Sequence, residues 1–249
     1  MIGSNAVLTA FVLFCRIGAC LMIMPGISSA RIPVRVRLFV GFAITLGLTP
    51  ILSDEVGPKI SAESPFILVQ TILSESLIGG LIGFLGRIFF GALDALANAI
   101  AMAIGLSSPL APPTDDNEPA PAIVSLISLG ALVLFFLTNL HWEVLRGLLA
   151  SYSVWPVSGL FEARLGLVEI GNSLARSFAL ALRVSSPFIV YALIVNLAIG
   201  IASRFAPQIP IYFITVPAVA AGGLFLLYIT CRSLLELFVA GFSLWLASG

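Results

Sequence analysis

Apolar residues run along this chain in long blocks. Continuous hydrophobic stretches cover residues 6–25, 38–52, 66–86, 88–106, 122–141, 177–201 and 209–231, the last continuing to about 247. About 20 apolar residues cross a bilayer as one helix. Unbroken runs favour helices over a membrane barrel, whose strands alternate. The pattern therefore predicts six to eight helices. The second block is short, and the third and fourth almost merge at Arg87. The last is long enough for two helices or one bent one. Residues 161–176, FEARLGLVEIGNSLAR, differ from the rest. There Phe161, Leu165 and Val168 alternate with Glu162, Arg164, Glu169, Asn172 and Arg176. This is an amphipathic helical pattern. It reads as a short surface helix linking two membrane segments, or as a dedicated partner-binding helix.

Composition strengthens this reading. Only 10% of the residues are charged and 59% are hydrophobic, whereas soluble domains are typically about 25% charged. Twelve basic and twelve acidic residues cannot cover a soluble surface of this size. The expected fold is an all-α, polytopic membrane-protein helical bundle, a single domain over 1–249 without internal repeats. The amino-terminal run has no basic residue before it, and Arg16 interrupts it. It is expected to stay as the first membrane helix and not to be cleaved as a signal. Arg31, Arg35 and Arg37 make the loop RIPVRVR basic, which places it in the cytoplasm and the amino terminus outside. A net charge of zero gives no nucleic-acid footprint. Cys15, Cys20 and Cys231 lack redox or zinc spacing, and read as small buried hydrophobes.

Enzyme signatures are scarce. The one histidine, His141, stands beside Trp142 and Glu143 at the end of an apolar run. It reads as a membrane-interface residue. No zinc-protease motif, glycine-rich phosphate loop or nucleophile elbow occurs. No catalytic, cofactor or metal residue is assigned, and a non-enzymatic protein is expected. Charges inside the apolar blocks are more informative: Arg16, Glu75, Arg87, Asp94 and Arg183. A lone ion in hydrocarbon costs at least ~2.5–3.5 kcal/mol. Each must face protein, water or a headgroup, through pairing between helices or along an aqueous path. Arg16, Glu75 and Arg183 are the buried-charge candidates, with Glu75 one turn before Gly79.

Glycines and prolines mark backbone contacts. Gly79, Gly83 and Gly86, with Gly80 beside them, leave one helix face nearly smooth, which favours close packing and could serve other subunits. The loop 107–121, SSPLAPPTDDNEPAP, holds five prolines and three acids. It reads as a solvated linker or a semi-rigid element over a pore. In ASRFAPQIPIYFITVP, 202–217, Pro207 and Pro210 break two apolar helices. Arg204 and Gln208 are then available to the carbonyls freed at the turn.

Three stretches together resemble one family. The first is MPGISSARIPVRVRLFVGFAITLGLTP, with Pro25, Pro33, Arg35, Arg37 and Pro50. The second is ESLIGGLIGFLG, with Gly79 and Gly83, leading to AMAIGLSSP. The third is NLAIGIASRFAPQIPIYFITVPAVAAGG, with Asn196, Arg204, Ala206, Pro207, Gln208 and Pro217. This pattern is similar to that of the FliR family, the flagellar type III export-gate proteins and the T component of injectisomes. The resemblance implies a subunit of a channel for unfolded flagellar proteins, in the bacterial inner membrane and the flagellar basal body. It also implies P-, Q-, B- and A-type export-apparatus partners, contact with membrane lipid, and a standing assembly in which many apolar helices pack on neighbours. It further implies a pore plug near Leu106–Pro121, carried by Leu106, Ser107, Ser108, Pro109, Leu110, Ala111, Pro112 and Pro113. This loop lacks the aromatic residues and Asp-Pro common there in the family. Two readings stand beside it. One is a stand-alone small-molecule or ion transporter with Arg16, Glu75 and Arg183 along its path; the other is a purely structural scaffold.

Overall fold

The computed structural model describes residues 2–29, 32–60, 64–107, 121–157, 163–205, 208 and 211–248. Among them all regular structure is helical. The helices are α1 (Ile2–Ile23), α2 (Val34–Ile60), α3 (Pro65–Ala103), α4 (Ala122–Leu137), α5 (Leu140–Val154), α6 (Ala163–Phe205) and α7 (Ile211–Ser248). Five are long and apolar enough to cross a membrane, and the bent pair α4–α5 makes a sixth candidate. The chain is an all-α polytopic membrane protein.

Boundaries differ from the hydropathy blocks for local reasons. The blocks meeting at Arg87 form one 39-residue helix, α3. Arginine is a good helix former, and Arg87 lies on an exposed face where its charge does not interrupt the backbone ladder. The described part of the amphipathic stretch is the first part of α6 and not a separate linking helix. α7 is likewise one helix. α6 continues through Pro187, although proline removes the donor for the carbonyl four residues back. That carbonyl belongs to Arg183, and the Ser186 hydroxyl donates to it at 2.9 Å. A neighbouring serine thus replaces the lost amide, as membrane helices commonly do.

Helix ends follow turn chemistry. At the end of α3 the Leu106 amide donates to Ala101 (2.8 Å) and the Gly105 amide to Met102 (3.2 Å). Gly105 has φ +73°, so this is a Schellman stop. Just past α4 stands Asn139, whose φ of 59° is left-handed; asparagine tolerates that region better than most residues. The chain then starts α5 at Leu140. The single apolar run expected over 122–141 is therefore broken at Thr138 and Asn139. Between α1 and α2, Arg37 donates to the carbonyls of Ile32 (3.0 Å) and Ser29 (2.7 Å). Arg35 and Arg37 stand in the first turns of α2, not in a free loop.

Two compact units can be distinguished. One runs through Phe89 and includes His141–Leu174; the other comprises Phe90–Leu140 and Ala175–Ser248. The core of the first includes Val12, Leu13, Ile17, Leu52, Leu148 and Tyr152. In the second, Phe90 meets Phe135, Phe238 and Phe242 edge-on at 6.1, 5.3 and 5.9 Å. There too the Tyr191 hydroxyl donates to Val219 of α7 at 2.8 Å. Gly222 leaves room for it, since a Cβ would lie 2.6 Å from that oxygen.

A buried charge cluster as candidate functional site

The cluster begins with the glycine ridge of α3. A Cβ at Gly79 would overlap the Arg16 carbonyl, one at Gly83 would lie 2.6 Å from the Cys20 oxygen, and one at Gly86 would lie 2.5 Å from Met24 Sδ. Without side chains on this ridge, α1 lies directly on α3. The contact is within one chain, whereas the sequence left it open to other subunits. It sets Arg16 beside Gly79, and Glu75 is one turn earlier on the same face of α3.

Arg16 is fully buried and Glu75 is 1% exposed. Arg16 Nε donates to Glu75 Oε2 and Nη2 to Oε1, both at 2.7 Å. This bidentate form is the strong geometry for an arginine–carboxylate pair. α5 supplies the remaining partners. Arg16 Nη1 donates to Ser151 Oγ at 3.0 Å and Nη2 to the Trp155 carbonyl at 2.8 Å. Trp155 follows the last helical residue, so its carbonyl lacks an intrahelical donor. A guanidinium there meets the negative end of the helix dipole. The guanidinium carbon also lies 4.0 Å from the Tyr152 ring centre, within cation–π range. Ser151 passes its own proton to Leu148 at 2.6 Å. Chemically the cluster is a clamp of α1, α3 and α5. The four Arg16 hydrogen bonds all end inside it.

Of the three buried-charge candidates, the structure brings two together. Arg183, expected to be buried, is exposed on α6, because Val184 and Phe188 take the buried side of that turn. Asp94 is exposed and accepts from the Ser128 hydroxyl. Asn196, Arg204, Gln208, Pro33 and Pro217 are also exposed, and Pro25 is half-buried. Asn196 returns an amide proton to Ala192 at 2.8 Å. Leu106 is half-buried and Ser107 exposed. Ser108, Pro109, Leu110, Ala111, Pro112, Pro113 and Pro207 lie outside the described residues. Among the described residues no group of three His, Cys, Asp or Glu could hold a metal. Ser151, Tyr152 and Trp155 were not anticipated. Their signal was SYSVW, which puts Ser151 and Trp155 four apart on one helix face.

The family model for bacterial export proteins, family 1, matches residues 7–244. The flagellar biosynthetic protein FliR of Caulobacter vibrioides is 31% identical over 229 residues, 90% of each chain. That of Escherichia coli is 28% identical over 215 residues, 85% of this chain and 80% of its own. Yop proteins translocation protein T of Yersinia pestis is 25% identical over 233 residues, 92% and 88% of the two chains.

Proposed function

The chain belongs to the FliR family of bacterial export proteins, and on that premise we propose that it is a non-enzymatic subunit of a flagellar type III export gate. It acts in the bacterial inner membrane, within the flagellar basal body. There it helps form the channel through which unfolded flagellar proteins leave the cytoplasm. Its partners are the P-, Q-, B- and A-type proteins of the apparatus. The loop at about Leu106–Pro121 serves as the plug of the closed channel.

One observation carries this reading over a stand-alone transporter. A transporter path needs charges that a substrate can reach. Arg16 and Glu75, the best candidates for such a path, are bound to each other at 2.7 Å and are 0% and 1% exposed. A buried pair whose charges are spent on each other supports a structural member of an assembly and offers a passing ion no free charge. The similarity to export proteins points the same way.

The test is co-expression of the tagged chain with P- and Q-type proteins, followed by purification and mass identification. Co-purification, with loss of the chain when the partners are omitted, is the expected result. A stable lone oligomer that binds a small solute would overturn the proposal. Deleting 109–117 tests the plug separately: the gate should still assemble but leak ions. Unchanged conductance of the gate carrying that deletion would remove the plug from the reading.

A further inference from the structure

The end of α3 is received by a glycine of α7. A Cβ at Gly223 would overlap Cβ and Cγ2 of Ile104 and lie 3.3 Å from its Cα. Ile104 is fully buried and follows the last residue of α3. Its amide donates to Ile100 at 3.0 Å, and the Leu106 amide donates to Ala101 at 2.8 Å. Leu106 is therefore tied to the same last turn as Ile104. Ser107 follows within ~11 Å of chain, so a shift of Ile104 is passed to the start of the 106–121 loop.

Packing along α7 shows where that loop begins and ends. α3 runs antiparallel to α7: Phe90 meets Phe238 and Phe242, and Ile104 meets Gly223. α4 runs parallel to it: a Cβ at Gly130 would lie 3.5 Å from Leu235, and Phe135 meets Phe242 at 5.8 Å. Both ends of the 106–121 loop therefore lie toward the Gly223 end of α7. All these residues belong to the second unit.

The turn of α7 that receives Ile104 is held from its other side. Tyr191 of α6 donates to the Val219 carbonyl at 2.8 Å, and in an α-helix that carbonyl also accepts from the Gly223 amide. Gly222 faces the same tyrosine. The aromatic contacts of Phe238 and Phe242 pin α7 again further along. A side chain added at Gly223 thus finds α7 fixed and Ile104 in its way. Carbon atoms pack at about 3.5–4.0 Å, so Ile104 must move by ~1 Å or more.

Reading that loop as the plug, we propose that Gly223 is its positioning residue. By receiving Ile104 it fixes where the loop leaves the bundle, so α7 sets the place of the plug.

Two measurements test this. In the first, the full chain in mixed micelles has Cys15, Cys20 and Cys231 replaced by alanine and carries nitroxides at Ser107 and Leu244. Both positions are exposed, and Leu244 stands roughly 32 Å along α7 from Gly223. Pulsed electron resonance gives the distribution of distances between the labels. Gly223→Ala should move it by ~1 Å or more and broaden it. Gly91→Ala, with open space at its Cβ, should leave it in place. An unmoved distribution in Gly223→Ala overturns the proposal, as does an equal shift in Gly91→Ala. In the second measurement the chain is co-assembled with P- and Q-type proteins. Gly223→Ala should leave the yield of gate unchanged and raise ion leakage several-fold, toward that of the 109–117 deletion. Combined with the deletion it should add nothing. Further leakage in the combined variant overturns the proposal. A tight Gly223→Ala gate beside a leaky deletion overturns the positioning role and leaves the plug standing. A tight deletion removes the plug, and the role with it. If Gly223→Ala fails to fold or assemble, Ile104→Ala takes its place, since it empties the contact and forces nothing. It should broaden the distribution and raise the leak; a narrow, unmoved distribution or a tight gate overturns the proposal.

Discussion

Glu75→Leu should unfold the α1–α3–α5 clamp more than any other single change in it. The substitution removes both 2.7 Å bonds to Arg16 and leaves the guanidinium buried with Ser151, the Trp155 carbonyl and the Tyr152 ring. An uncompensated buried charge costs about 3–5 kcal/mol when its partner is removed. That is a factor of roughly 10² to 4 × 10³ in the folded-to-unfolded ratio, at about 1.4 kcal/mol per tenfold. Glu75→Gln keeps an acceptor but loses the charge, so its cost should be nearer a single charge-assisted bond, about 1.5–3 kcal/mol. The double variant Arg16→Met, Glu75→Leu removes both ions and fills similar volume. Replacements of this kind are often neutral or stabilising by about 1–4 kcal/mol, so the double variant should be more stable than Glu75→Leu alone. The assay is unfolding of the full chain in mixed micelles by increasing sodium dodecyl sulfate, followed by circular dichroism. Trp155 fluorescence, read with Trp142 and Trp245 replaced by phenylalanine, reports the site locally. Glu75→Leu with wild-type stability would refute the reasoning. So would strict additivity of the two single costs, because a coupled pair must show an interaction energy in the double-mutant cycle.

Three further outcomes follow from local geometry. Gly79→Ala should destabilise the chain by about 1–3 kcal/mol through overpacking against the Arg16 backbone. Gly91→Ala, on the same helix with open space around it, should be neutral or stabilising by up to ~1 kcal/mol; equal midpoints for the two would show the ridge contact to be loose. Asn139→Val should cost about 1–2 kcal/mol, because a β-branched residue is forced to φ 59°, whereas Asn139→Gly should unfold at nearly the wild-type midpoint. Arg204→Ala should leave the amount of chain in the membrane unchanged but reduce co-purification with P- and Q-type partners; normal assembly with poor secretion would assign Arg204 to transport instead.

Much of the architecture was legible because hydropathy acts on whole segments. The blocks located α1, α4 and the apolar parts of α2, α3, α6 and α7. What periodicity cannot show is where a helix stops when polar residues follow it without a backbone reason. Nothing at Arg87 or Arg176 prevents the next hydrogen bond, so α3 and α6 run on. Pro187 does not end α6 either, because the Ser186 hydroxyl satisfies the carbonyl it frees. α5 was hidden for the opposite reason: LHWEVLRGLLASYSV is too polar to register as an apolar block. With α5 unseen, three of the five residues in the charge cluster were unseen too. Arg16 and Glu75 were each conspicuous as ions among apolar neighbours. Their pairing was not, because 59 residues separate them.

The glycine ridge shows what such a signal contains. Missing side chains at Gly79, Gly83 and Gly86 imply that some backbone comes close, and they do not identify whose. Here it is α1 of the same chain, so this face is already occupied and offers nothing to a partner. Motif residues still open to neighbours are found on the α6–α7 hairpin, where Asn196, Arg204, Gln208 and Pro217 are exposed. Residues of one family motif therefore do different physical work. The glycines build the clamp inside the chain, and the hairpin residues remain free to meet other components. A defect in the first group should appear when the chain is alone, and a defect in the second only when its partners are present.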